Sequence, residues 1–135
     1  MMNDKLIGIW IDLREAILAT GEEIVDIIES EFDVGNAKGG SGSDTPWGPQ
    51  DVISESKVLE KRKQSLAQYF RYILIRLEPF DQVLIMGPGL TKDHLKDAIE
   101  SNHKTRSMKI TVETIDKMTL NQIRARIRAF KESIS

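Results

Sequence analysis

The chain has 135 residues, 40% hydrophobic and 30% charged, enough for one domain with its own core and too apolar for a disordered chain. Its 19 Lys and Arg against 21 Asp and Glu give a formal charge of -2, which suggests neither a strongly basic nucleic-acid wrapper nor an acidic solvating tail. With no cysteine there is no disulfide framework, thiolate metal site or cysteine nucleophile.

The first residues run straight into a strand pattern without a basic leader, an apolar h-region or a small-residue cleavage site. Apolar runs reach about six residues, far below the roughly 20 that cross a bilayer. A cytoplasmic protein without membrane contact is therefore expected. Lys5 to Asp12 and Glu15 to Thr20, parted by Leu13 and Arg14, read as a hairpin of β-branched and aromatic residues. Glu22 to Asp33 has a spacing compatible with a helix, but its β-branched content and its position after Gly21 favour a third strand.

From Val34 to Gln50 the composition turns to Gly, Ser, Asp and Pro without periodicity, the mark of a long flexible loop. A compact domain seldom keeps such a connection without use, so a functional or partner-ordered loop is expected; the alternative is a plain linker. Asp51 to Leu77 places Leu59, Leu66, Phe70, Ile73 and Leu77 on one face of a long helix. Asp81 to Met86 is a nearly continuous apolar run, as in a strand buried on both faces, and Gly87, Pro88 and Gly89 end it.

Thr91 can cap a second helix with Leu95, Ala98 and Ile99 inward, and Met108 to Glu113 alternates as a strand. Thr119 and Gln122 have capping-box spacing and open a last helix with Leu120, Ile123, Ile127 and Phe130 inward. The order βββαβαβα requires right-handed crossovers in its second half, while the first three strands can form a meander. The expected fold class is α/β: a mixed five-stranded sheet flanked by helices, the ribonuclease H-like topology.

That topology raises the question of a two-metal nuclease, which needs carboxylates on the first strand, the first helix and the fourth strand. Asp12 ends the first strand, but the fourth ends in Met86 and Gly87, its acid Asp81 is at the opposite end, and Glu55 and Glu60 on the helix meet no second carboxylate. Asp12 reads better as a turn residue. His94 and His103 lie in a helix's first turn and in a loop, with no acid or hydroxyl at triad or metal spacing. Nothing calls for a metal or a cofactor.

Gly87, Gly89, Thr91 and Lys92 join a buried strand to a helix start. Free amides there could hold a phosphate with Lys92, although neither the P-loop nor the dinucleotide pattern is matched and a tight turn with a cap explains them too. The charge is also unevenly placed. Residues 1–34 carry Lys5 and Arg14 against nine acids, a net of -7, whereas residues 35–135 carry 17 basic and 12 acidic residues, a net of +5. Lys57, Lys61, Arg62, Lys63, Arg71 and Arg76 lie on the first helix, and Arg124, Arg126, Arg128 and Lys131 on the last. Such runs are either solvated faces or salt-sensitive phosphate contacts.

The run Ala37, Lys38, Gly39, Gly40, Ser41, the helix from Lys61, Arg62 and Lys63 to Tyr69 and Phe70, and the stretch Val83 to Lys92 together resemble the middle domain of archaeo-eukaryotic class I peptide-chain release factors and their Pelota relatives. Ile9 to Ala16 and Thr45 to Gln50 resemble more closely the small bacterial release-factor-like proteins labelled translational machinery proteins. The resemblance covers nearly the whole chain and implies a single domain, residues 1–135, with its loop at 34–50. In release factors a Gly-Gly-Gln loop enters the peptidyl-transferase centre and helps water attack the peptidyl-tRNA ester. Gly39 and Gly40 match its glycines, Ser41 replaces the glutamine, and Gln50 lies further along the same loop.

The resemblance thus implies binding to the ribosome or tRNA rather than hydrolysis. It places Lys38, Lys57, Lys61, Arg62 and Lys63 on RNA, and Gly39, Gly40, Ser41 and Gln50 as the candidate loop for any residual catalysis. No codon-reading or GTPase-recruiting domain accompanies the middle domain in these residues, so conventional stop-codon decoding is not expected. Two other readings stand beside this one: a protein-interaction module or homo-oligomeric scaffold built on the acidic hairpin or a sheet edge, and a peptidyl-tRNA ester hydrolase using the Gly39-Gly40-Ser41 backbone.

Overall fold

A computed structural model describes residues 5–30 and 48–134, with side chains described for 5–30, 61 and 63–134. Strands β1 (Leu6–Ile11), β2 (Glu15–Ala19) and β3 (Ile24–Glu29) are followed by helix α1 (Gly48–Leu77), β4 (Gln82–Gly87), α2 (Thr91–Ser101), β5 (Lys109–Thr114) and α3 (Leu120–Ile134). The sheet order is β3-β2-β1-β4-β5, antiparallel across β3-β2-β1 and parallel across β1-β4-β5. This is the expected mixed α/β sheet, with the three-strand meander on one side and the crossover strands on the other.

The period-two pattern of each strand sorts its side chains between two cores. Ile7, Ile9 and Ile11 of β1, Ala16 and Leu18 of β2 and Val83 and Ile85 of β4 face α1 and α2, where Tyr69, Phe70, Ile73, Leu77, Leu95 and Ile99 meet them. Leu6, Trp10, Ile17, Ala19, Leu84 and Met86 face α3 through Ile123 and Ile127. A β1 or β4 residue is therefore buried whichever way it points, hence the unbroken apolar runs. Gly8 lets α3 come close, because a Cβ there would lie within 3.0 Å of the Ile127 side chain.

Several local expectations hold in atomic detail. Asp12 is a turn residue: its Oδ1 accepts from the amides of Arg14 (2.8 Å) and Glu15 (3.0 Å). The Thr119–Gln122 box closes in both directions, the Thr119 amide donating to Gln122 Oε1 (2.9 Å) and the Gln122 amide to Thr119 Oγ1 (3.1 Å). Others need correction. Helix α1 starts at Gly48 instead of Asp51, with Pro49 in the first turn, where a missing N–H costs no helical bond. Thr91 does not cap α2: Leu90 holds that position with φ -85 and ψ -9, already helical, and no side chain bonds the first turn. Leu120, expected inward, is 43% exposed, since it opens α3 ahead of the first residue that reaches the sheet, Ile123.

β3 is a sheet edge. Ser30 donates its amide to the Arg14 carbonyl, and the register pairs Ala16 with Ile28, so the intervening Ile27 presents its peptide groups away from β2. Asp26 covers that edge: its Oδ1 accepts from the Ile27 amide (2.8 Å) while Arg76 of α1 holds Oδ2 (2.6 Å). Val25 and Ile27 are exposed beside it, the combination that invites strand addition when a free amide is available. Asp26→Ala is therefore expected to raise the weight-average mass in sedimentation equilibrium relative to the parent protein at equal concentration; identical masses would show that the edge needs no guard.

Candidate nucleic-acid interface

The chain leaves β3 from an anchored point. Ser30 bonds the hairpin turn twice, through its amide to the Arg14 carbonyl (2.9 Å) and through its hydroxyl to the Leu13 carbonyl. From beneath, the Tyr69 hydroxyl of α1 donates to the Asp12 carbonyl (3.0 Å). Turn, strand end and helix are thereby fixed to one another where residues 31–47 begin, beside a groove lined by Glu29, Ser30, Ser65, Gln68, Tyr69 and Tyr72.

Burial, followed by the negative charges of Asp12 and Glu15, pushes the Tyr69 phenol well above the usual tyrosine range. The folded-state value is raised, so the neutral phenol's contribution to stability is complete below the unfolded value of about 10 and is lost as pH rises above it. Tyr69→Phe should cost about 1 kcal/mol at neutral pH by leaving the Asp12 carbonyl without this donor. It should also lose less stability than the parent between pH ~9 and ~11, as read by urea unfolding; parallel losses in the two proteins would contradict the assignment.

Among the described side chains, Leu66 is the first of α1 to pack on the core, and at 1.5 Å per residue it stands about 27 Å along the axis from Gly48. Lys61 and Lys63 lie on this leading part and are exposed. Two residues apart, they point about 200° from each other around the helix, so they offer charge on opposite flanks and not on one face. Lys57 and Arg62 are helical, but their side chains lie outside the described residues. So do Lys38, Gly39, Gly40 and Ser41 entirely, while Gln50 falls in the first turn of α1. Arg71 is exposed and Arg76 is spent on Asp26.

The turn after β4 is more occupied than its sequence suggests. Lys92 is 6% exposed and its Nζ donates to the Gly89 carbonyl (2.6 Å), with Asp93 at 3.6 Å. Its ammonium closes the turn, and an incoming anion would meet that carboxylate. Thr91 is buried and Leu90 exposed. Gly87 is explained by packing, since a Cβ there would run into the Ile11 carbonyl of β1; nothing lies within 4 Å of one at Gly89.

The basic face expected on the last helix is largely engaged in hydrogen bonds and one ion pair. Arg124 donates to the Glu22 carbonyl (3.2 Å) and to Asn121 (2.6 Å), Arg128 to the Gly21 carbonyl, and Arg126 makes a two-pronged pair with Glu113. These arginines fasten α3 to the β2–β3 turn and to β5, leaving Lys131 exposed at its end. Asp12 is committed to its turn, His94 and His103 are exposed, and among the described residues no three His, Asp or Glu converge as metal ligands. No described helix is long and apolar enough to cross a membrane.

No family model and no curated protein matches the chain. Among solved structures, Archaeoglobus fulgidus Pelota matches with a TM-score of 0.53 at 11% identity, covering 98% of this chain and 37% of that one. The fold is Pelota-like. An archaeal translation termination factor, aRF1, is similar at a TM-score of 0.46 and 16% identity, over 96% of this chain and 38% of that one. The chain thus spans well under half the length of either protein.

Proposed function

We propose that this chain is a release-factor-middle-domain-like protein of the small bacterial translational-machinery type, which binds the ribosome or tRNA in the cytoplasm. The observation that carries the reading is the fold itself: the likeness to Pelota covers 98% of the chain, and the Lys38-Gly39-Gly40-Ser41 segment falls between β3 and α1, the connection that the motif resemblance assigns to the reaching loop. The anchored strand end at Ser30 and the long α1 suit such a loop, because one fixes where it starts and the other carries Lys61 and Lys63 beyond the core. Lys38, Lys57, Lys61, Arg62 and Lys63 then meet RNA phosphates, with Gly39 and Gly40 permitting close backbone approach.

With Ser41 in place of glutamine, the function retained is binding. Its test is the variant carrying Lys57→Glu, Lys61→Glu, Arg62→Glu and Lys63→Glu, titrated against labelled tRNA and purified ribosomes. Loss of affinity by tenfold or more is expected, since four attractive contacts become repulsive. Undiminished binding would remove those residues from the interface. The parent protein should release no peptide from ribosomes loaded with peptidyl-tRNA; stoichiometric release would restore the hydrolase reading.

A further inference from the structure

Between Glu100 and Glu113 the chain carries no acid, yet it carries Lys104, Arg106 and Lys109, with His103 beside them. The fold makes this run rigid. The Thr105 hydroxyl is buried and donates to the Ile99 carbonyl at the end of α2 (2.8 Å), the amides of Thr105 and Arg106 both donate to the Asn102 carbonyl (3.0 and 2.9 Å), and Asn102 Oδ1 takes the Lys104 amide (2.8 Å). Beyond them, the amides of Met108 and Lys109 bond the carbonyls of Thr105 and Asp81. With the backbone so fixed, residues 103, 104, 106 and 109 are all exposed.

Among the described residues, none of the three permanent cations is ion-paired. The ion pairs of the described residues use Arg76, Lys92, Lys96, Lys117 and Arg126, and among the described residues the side chains of Lys104, Arg106 and Lys109 make no ion pair. The nearby Asp81 carboxylate accepts instead from the Lys5 amide (3.2 Å). Like charges on a fixed segment repel one another, a single nearby carboxylate, Asp81, offsets only part of that repulsion, and a polyanion relieves the rest.

The position of the loop argues for a large polyanion. Lys109 lies in the row Leu6, Gln82, Lys109 at the start of the parallel strands, on the β5 edge. Ser30 lies next to the row of Ile11, Ala16 and Ile28, on the β3 edge. These are diagonally opposite corners of the sheet, about 25 Å apart for strands spaced at ~4.8 Å with ~3.3 Å per residue. A small anion could touch only one of them.

We propose that Lys104, Arg106 and Lys109 form a second phosphate-binding surface, which engages the backbone of the same folded RNA at the corner of the sheet opposite Ser30. This deepens the reading of the chain as a ribosome- or tRNA-binding protein and rests on it. Sequence periodicity passes over the site because Lys104 and Arg106 lie in a turn and only Lys109 in a strand, although its lack of acids is visible in the sequence.

The test is the variant Lys104→Gln, Arg106→Gln, Lys109→Gln, titrated with labelled tRNA and with ribosomes over a salt series, thermal melting confirming that it folds like the parent. Three lost phosphate contacts should lower the slope of log affinity against log salt by about 2–3 and weaken binding most at low salt. An unchanged slope and affinity, with the parent binding and the Lys61→Glu, Lys63→Glu variant impaired, would overturn this surface and leave the proposed function standing. A parent protein that binds neither RNA nor ribosomes would overturn both. Loss of binding to phosphatidylserine vesicles, with RNA affinity intact, would assign the cations to a lipid surface and reject the RNA contact.

Discussion

Trp10→Ala is expected to cost about 3–5 kcal/mol, a large share of the roughly 5–15 kcal/mol that stabilises a typical domain. Trp10 is 1% exposed in the middle of the α3-side core, so truncation leaves a cavity between β1 and that helix. It also holds the chain after β5: its indole Nε1 donates to the carbonyls of Ile115 (3.1 Å) and Asp116 (3.2 Å). Lys117 then stands 4.8 Å over the ring and pairs with Glu15 at the hairpin turn. Trp10→Phe keeps most of the buried area but removes the donor, so about 1–2 kcal/mol should go. Urea unfolding separates the two variants; equal losses would mean that the hydrogen bonds, and not the buried volume, dominate.

Gly87→Ala is expected to cost about 3 kcal/mol for the addition of a single methyl group. The group that a Cβ would strike is the backbone carbonyl of Ile11, with the carbonyl carbon itself at 3.4 Å, and backbone cannot rotate away as a side chain can. Relief requires β1 and β4 to part at the end that leads into the 88–90 turn, in the middle of the sheet. Gly89→Ala, two residues on and with nothing within 4 Å, is the matched control and should change stability by less than about 0.5 kcal/mol. Equal midpoints for the two alanine variants would contradict the close strand approach. The pair also bears on function, since the anion-site reading treats both glycines alike and only Gly89 is free of a packing constraint.

What the sequence made legible was what local chemistry decides. The β-branched and aromatic hairpin of β1 and β2, the continuous apolar run of β4, the β-branched third strand, the Asp12 turn and the Thr119–Gln122 box each depend on residues within a few positions of one another. What it concealed depends on distant partners. Arg124 and Arg128 look like free surface charge until α3 is laid against the carbonyls of Gly21 and Glu22, more than 100 positions away. Lys92 looks available until its ammonium is found on the Gly89 carbonyl, and Thr91 looks like a cap until Leu90 is found already helical.

The same asymmetry governs the candidate interface. Charge counting pointed to both long helices, whereas the three-dimensional pairing removes most of the cations of α3 and Arg76 of α1. Lys61 and Lys63 are left at the leading end, with Lys104, Arg106 and Lys109 at the opposite corner. No periodicity rule would have chosen the second group, since Lys104 and Arg106 lie in a turn, although the acid-free run of residues 101–112 is visible in the sequence.

The most direct test of the account is co-sedimentation of the purified protein with purified ribosomes through sucrose, at about 50 mM and about 200 mM monovalent salt. The protein should travel with ribosomes at the lower salt, the bound fraction should fall steeply at the higher, and the four-residue α1 charge-reversal variant should stay at the top of the gradient in both. Parent protein that remains at the top at both salts, or that travels with ribosomes equally at both and equally well as the variant, would contradict a phosphate-borne attachment to the translation machinery.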